Sequence, residues 1–174
     1  MKKSLLCFCL LIVTSFFFAA CGNRNDGSDN SAEKPAYEYS DYSEQELEYF
    51  VDNFDRNYEF VDNQLIVMLT EQASFKYIFY DYTAEDFKEI GAVHISELDG
   101  STSQSDGLTY KIRQYLSKDP SGNNLPGHLK HYNRTFSITL DKKDKDNVLR
   151  AIFILKHRSD IFTAEPDFIG SFDV

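Results

Sequence analysis

Few residues in this 174-residue chain have the types and spacing that perform chemistry. His128 and His131 form an H-x-x-H pair, and Asp119 is the nearest upstream residue that would complete a metal site with them. On a helix that spacing would put both imidazoles on one ion. Here Pro126 and Gly127 mark a loop, which fixes no ligand geometry, so the pair is read as solvated. His94 falls on a strand and His157 at a helix end, where structural roles suffice. Ser101, Ser103 and Ser105 stand in a polar run without the strand-turn-helix elbow that presents a nucleophilic serine. No glycine-rich phosphate cradle occurs. The acid-rich stretch from Asp141 to Asp146 alternates with lysines and lacks the central glycine and terminal glutamate of a calcium loop. No catalytic residue, metal ligand or cofactor is assigned, and the expected class is a binding protein, not an enzyme.

All three cysteines, Cys7, Cys9 and Cys21, lie in the first 21 residues. The chain beyond them therefore has neither a disulfide framework nor a thiolate metal site. Lys2 and Lys3 precede an apolar run, Leu5 to Phe18, that is too short to span a membrane comfortably and ends in Ala19-Ala20. This is the pattern of a secretory signal. Phe18-Ala19-Ala20-Cys21 resembles the lipobox of bacterial lipoproteins, with Phe18 where leucine is usual. The resemblance implies cleavage after residue 20, diacylation of Cys21, and an extracytoplasmic protein anchored to the cell membrane or envelope surface. Two acyl chains, at about 0.8 kcal/mol per buried CH2, give durable attachment where one is marginal.

The formal charge is -10, from 18 Lys+Arg against 28 Asp+Glu. With no basic stripe, the chain lacks the cations that displace counterions from a phosphate backbone, so nucleic acid is excluded as a partner. An aromatic fraction of 15% and a hydrophobic fraction of 42% supply enough apolar surface for a folded core. That surface is unevenly distributed. Residues 21–42 are mostly Gly, Asn, Asp, Ser and Pro and are expected to form a disordered tether, with Tyr37, Tyr39 and Tyr42 docking loosely on the domain that follows.

That domain, residues 43–174, opens with a helix. Ser43 and Glu46 make a capping-box pattern ahead of Leu47, Phe50, Val51, Phe54, Tyr58 and Val61, which share one face. Leu65 to Leu69 reads as a buried strand, Ala73 to Phe87 as partly helical with Thr83 capping a last turn, and Ala92 to Ile95 as a strand after Gly91. Residues 99–132 read as a long connection of low order around a weak helical patch, Leu108 to Leu116. Arg134 to Leu140 alternates as a strand, and Asp144 caps a helix bearing Val148, Leu149, Ile152 and Leu155. Ile161 to Phe168 closes as a final strand interrupted by Pro166, which marks either an edge position or the strand's end. The predicted fold class is α+β: a ferredoxin-like split βαβ with an antiparallel sheet, two helices on one face, and an extra helix in front.

Several segments are similar to the prodomain modules of subtilisin-type proteases, the inhibitor I9 and fervidolysin N-terminal prodomain group. They are Leu65 to Leu69, Tyr82 to Phe87, Asn147 to Ile152, and the ending Ile161-Phe162-Thr163-Ala164-Glu165-Pro166-Asp167-Phe168-Ile169. The resemblance implies a sheet that packs on a protease surface and a tail, Gly170-Ser171-Phe172-Asp173-Val174, that enters the protease cleft as an added strand. No peptidase sequence occurs within the 174 residues, so inhibition of a secreted subtilisin-like protease is expected to act in trans. The alternative is a cell-surface interaction lipoprotein that binds another envelope protein and has no protease partner.

Overall fold

A computed structural model describes residues 34–98 and 107–169. The signal, the lipobox with Cys21, the serine run and the tail Gly170–Val174 lie outside the described residues. Four strands form one antiparallel sheet: β1 (Phe60–Leu69), β2 (Ala92–Glu97), β3 (Thr135–Leu140) and β4 (Ile161–Phe168), in the order β2-β3-β1-β4. Leu65 pairs with Ile138 on one side and Pro166 on the other, and Ile95 pairs with Ile138 from the far edge. The first two strands are thus separated by the third, as the split βαβ arrangement requires.

Strand alternation decides which face is buried. Leu65, Val67 and Leu69 in β1, Phe136, Ile138 and Leu140 in β3, and Ala164 in β4 all point into one core. That side is covered by α2 (Glu71–Lys76), a 3-10 helix (Ala84–Ile90) and α4 (Lys145–Lys156). Each well-buried aliphatic or phenyl side chain contributes about 1.5–3 kcal/mol relative to exposure. Helix α4 starts where Asp144 accepts a bond from the Asp146 amide at 3.0 Å. At the turn into β2, Gly91 adopts φ +76, and a Cβ there would meet Asp141 Oδ1 at 2.8 Å. Only glycine serves at that point.

Three elements differ from the sequence reading. Helix α1 (Glu44–Asn53) has the expected capping box, with the Glu46 amide donating to Ser43 Oγ at 3.2 Å, but it stops before Tyr58 and Val61. Phe54 is extended, Asp55 accepts from the Asn57 amide in a tight turn, and Val61 belongs to β1. The apolar residues at helical spacing beyond Asn53 therefore fall in the turn after α1, Phe54 and Tyr58, and in β1, Val61.

The expected disordered tether is corrected over residues 34–42. Pro35 is buried, the Ala36 amide donates to Tyr77 Oη at 3.1 Å, and Ser159 and Glu38 exchange bonds at 2.8 and 3.0 Å. The Ser40 amide donates to the His157 carbonyl at 2.8 Å. This segment forms an extended strap across the end of α4.

The connection between β2 and β3 is also more ordered than its composition suggests. Within its described part, α3 (Leu108–Lys118) buries Ile112 against Ile78, Leu125, Leu129 and Tyr132, a second core beside the first. Arg113 ties this helix to the carbonyls of Ile78 and Tyr80 and to Asp81. The signals from composition and from packing conflict here, and packing wins: few apolar residues suffice because Ile78 and Phe75 are supplied from outside the segment.

Candidate functional site: the open sheet face and the strand that leads to the tail

The alternation that fills the core leaves a second face of the sheet without a helical layer among the described residues. It presents Gln64, Ile66 and Met68 from β1, Thr135, Ser137 and Thr139 from β3, His94 and Ser96 from β2, and Thr163 and Glu165 from β4. Each is half-buried or exposed, whereas their neighbours on the helical side of β1 and β3 are buried. Two apolar side chains lie between rows of hydroxyls, with a histidine at one edge and a carboxylate at the other. Such a face offers partial burial and hydrogen bonding to another protein.

β4 is one edge of this sheet. Pro166 removes one donor from it, as edge strands tolerate, and Phe162 stands 70% exposed beside a register shift. The strand runs out through Phe168 and Ile169, both large apolar residues open to solvent. Phe168 leans on Tyr58 with ring centroids 5.8 Å apart, and the Ile169 amide donates to Glu59 at 3.0 Å. The expected tail residues Gly170–Val174 follow directly.

Two buried arginines fix the frame behind this face. Arg134, at the start of β3, is 1% exposed. Its guanidinium makes paired bonds of 2.9 Å to Glu97 and donates to the carbonyls of Tyr77 and Tyr80. Its amide also donates to Ser74 Oγ at 2.9 Å. Arg158, after α4, makes paired bonds of 2.9 and 2.8 Å to Asp160 and donates to Glu89 and the Asp86 carbonyl. Tyr37 from the strap lies 3.7 Å over its guanidinium and Phe87 4.5 Å. Burial opposes the Arg158 charge, but the bonds to Asp160 and Glu89 outweigh it and hold its pKa above the ordinary value. These groups are consumed in holding elements together. A cleft of about 230 Å³ beside Arg134 and Glu97 is lined also by Asp81, Tyr82, Ser96 and Phe136.

The sequence singled out neither arginine as a core residue: Arg134 reads as a strand start, and Arg158 only follows His157 at a helix end. Burial of a charge depends on a partner distant in sequence, Glu97 in one case and Glu89 in the other. Only the short spacing of Arg158 and Asp160 carries a local signal.

The candidate metal residues do not converge. Asp119 accepts from the Ser121 amide at 3.1 Å and from Asn124 at 2.8 and 3.2 Å. The Ser121 hydroxyl, with those other bonds, pulls its pKa down. His131 meets Glu71 at 3.3 Å, and His128 sits in a 3-10 turn, Gly127–Leu129. Among the described residues no group of three or more His, Cys, Asp or Glu could hold a metal ion. His94 lies on the open face. His157 Nδ1 is 2.8 Å from the Phe153 carbonyl, and its ring packs on Phe153 and Tyr42.

Among the described residues no helix is long and apolar enough to cross a membrane. Compared with the models of protein families, with curated proteins and with solved structures, the chain matches none. The fold is α+β with a ferredoxin-like sheet order.

Proposed function

We propose that this is a lipid-anchored, extracytoplasmic protein-binding module that inhibits a subtilisin-like protease in trans. The observation that carries this reading is the coupling of a sheet face that no described helix covers to an edge strand, β4, after which Gly170–Val174 follow in the sequence. A partner seated on the face would receive the tail as an added strand, with backbone bonds giving affinity and Phe172 or Val174 giving selectivity. The acidic balance keeps such a domain soluble beside an anionic surface.

The test is an inhibition assay of secreted subtilisin-like proteases with the full chain and with a chain lacking Gly170–Val174. The full chain is expected to slow hydrolysis at micromolar concentration, and the shortened chain to lose at least tenfold in potency. No inhibition by the full chain overturns the protease reading in favour of the surface-interaction lipoprotein. Anchoring is tested separately. Cys21→Ser is expected to abolish palmitate labelling and membrane fractionation, and unchanged fractionation would overturn it.

A further inference from the structure

On the helical side of the sheet, away from the open face, α1 and the end of α4 enclose a groove of about 860 Å³. Its floor is aromatic. Phe50 meets Phe153 at 5.5 Å and Phe54 at 6.2 Å between ring centroids. Tyr49 rises beside it, 71% exposed. The acidic side chains at its rim are Glu46 and Asp55, His157 lies at its α4 end, and among the described residues no Lys or Arg lines it.

The neighbouring cations are already committed. Arg150 binds Glu48 at 2.8 Å, and Arg56 binds Asp146 at 2.8 Å. Lys156 lies outside the groove with Nζ 5.3 Å from the Phe50 centroid. Among the described residues Glu46, Asp52 and Asp55 make no ion pair with a basic side chain. Glu46 instead accepts from the Ser43 amide and hydroxyl, which with the nearby His157 lower its pKa. An aromatic floor beneath carboxylates that have no ion-pair partner among the described residues selects an occupant that is both apolar and cationic, because rings accept ammonium and guanidinium groups on their faces and the rim repels anions.

We propose that this groove is a second docking site, taking a segment of a partner protein in which one apolar anchor is flanked by Lys or Arg. The anchor lies on Phe50 and Phe54 against Tyr49, and the flanking cations meet Glu46 and Asp55. This proposal does not rest on the protease reading. The chain's own tail, which carries Asp173, and an anionic lipid surface both have the wrong sign.

The experiment is fluorescence anisotropy of dye-labelled peptides against the full chain. One probe has a leucine flanked by lysines, a second has glutamates in place of the lysines, and a third has serine in place of the leucine. Only the first is expected to saturate, and more weakly as salt is raised. Tyr49→Ala is expected to weaken it about tenfold and Asp55→Asn about threefold. Glu165→Gln, the same loss of charge on the open sheet face, is expected to leave it unchanged. Tyr49, Asp55 and Glu165 are exposed, so circular dichroism should report an unaltered fold for all three variants.

Equal binding of all three probes, no binding of the first, or equal loss in Glu165→Gln and Asp55→Asn overturns the proposal. So does a dimer in light scattering that Tyr49→Ala dissolves, since the occupant is then a second copy. A tenfold gain in probe affinity on deleting Gly170–Val174 overturns it in favour of the chain's own tail.

Discussion

At the scale of single residues, the two arginines decide how the domain responds to substitution. Arg158 and Asp160 are both buried, so removing either strands a charge, and the cost of that exceeds what the pair itself contributes. Arg158→Ala is expected to lower unfolding free energy by about 3–5 kcal/mol in urea titrations. Joint replacement of both by apolar residues of similar volume should recover most of that loss. The tyrosines give a pH signature. Burial and the bond to Asp86 push the Tyr80 pKa up to about 12 from its ordinary 10.0, and burial also raises Tyr37, Tyr39 and Tyr82. A raised folded pKa stabilises the protonated form, so this contribution is complete below pH 10 and fades as pH climbs through 12. Ultraviolet titration of the 11 tyrosines should show these four resisting ionisation beyond pH 10. Tyr37 and Tyr39 were visible in the sequence as docking residues. What they dock on was not, because the only local sign that Arg158 is buried is its short spacing to Asp160.

Local rules held best at the scale of elements where one residue decides. Ser43 and Glu46 make the capping box that their spacing predicts, and Ser43→Ala is expected to cost about 1 kcal/mol by thermal denaturation. Asp144 likewise starts α4, and Gly91 ends the turn before β2. Periodicity misled where two elements shared a pattern: Tyr58 and Val61 fit the helical spacing of α1, but Asp55 and Asn57 form the turn that breaks it. The hydrogen-bonding reach of an aspartate was the missing signal. Composition misled in α3, whose partners Phe75 and Ile78 lie in another segment. Ile112 is fully buried at the centre of that second core, so Ile112→Ala is expected to cost about 2–5 kcal/mol. If α3 were loosely attached, as its polar surroundings suggest, the change would be below 1 kcal/mol.

For the whole molecule, the order of strands, helices and capping residues sufficed to give the sheet arrangement, since each strand alternates or runs apolar and the split βαβ accommodates that order. The open face follows from the same alternation. The strap could not be foreseen, because its bonds run to residues 41 to 121 positions away in the sequence. It also sets how the domain carries load. Tension entering from the N-terminal side reaches the Ala36–Tyr77 bonds first, then Glu38 on Ser159, then Ser40 on His157, so they part in succession like a peeled seam. The sheet, whose strands are joined along their lengths, is loaded only after that seam has opened. Its opening lifts Tyr37 from Arg158 and wets a guanidinium that the intact domain keeps dry.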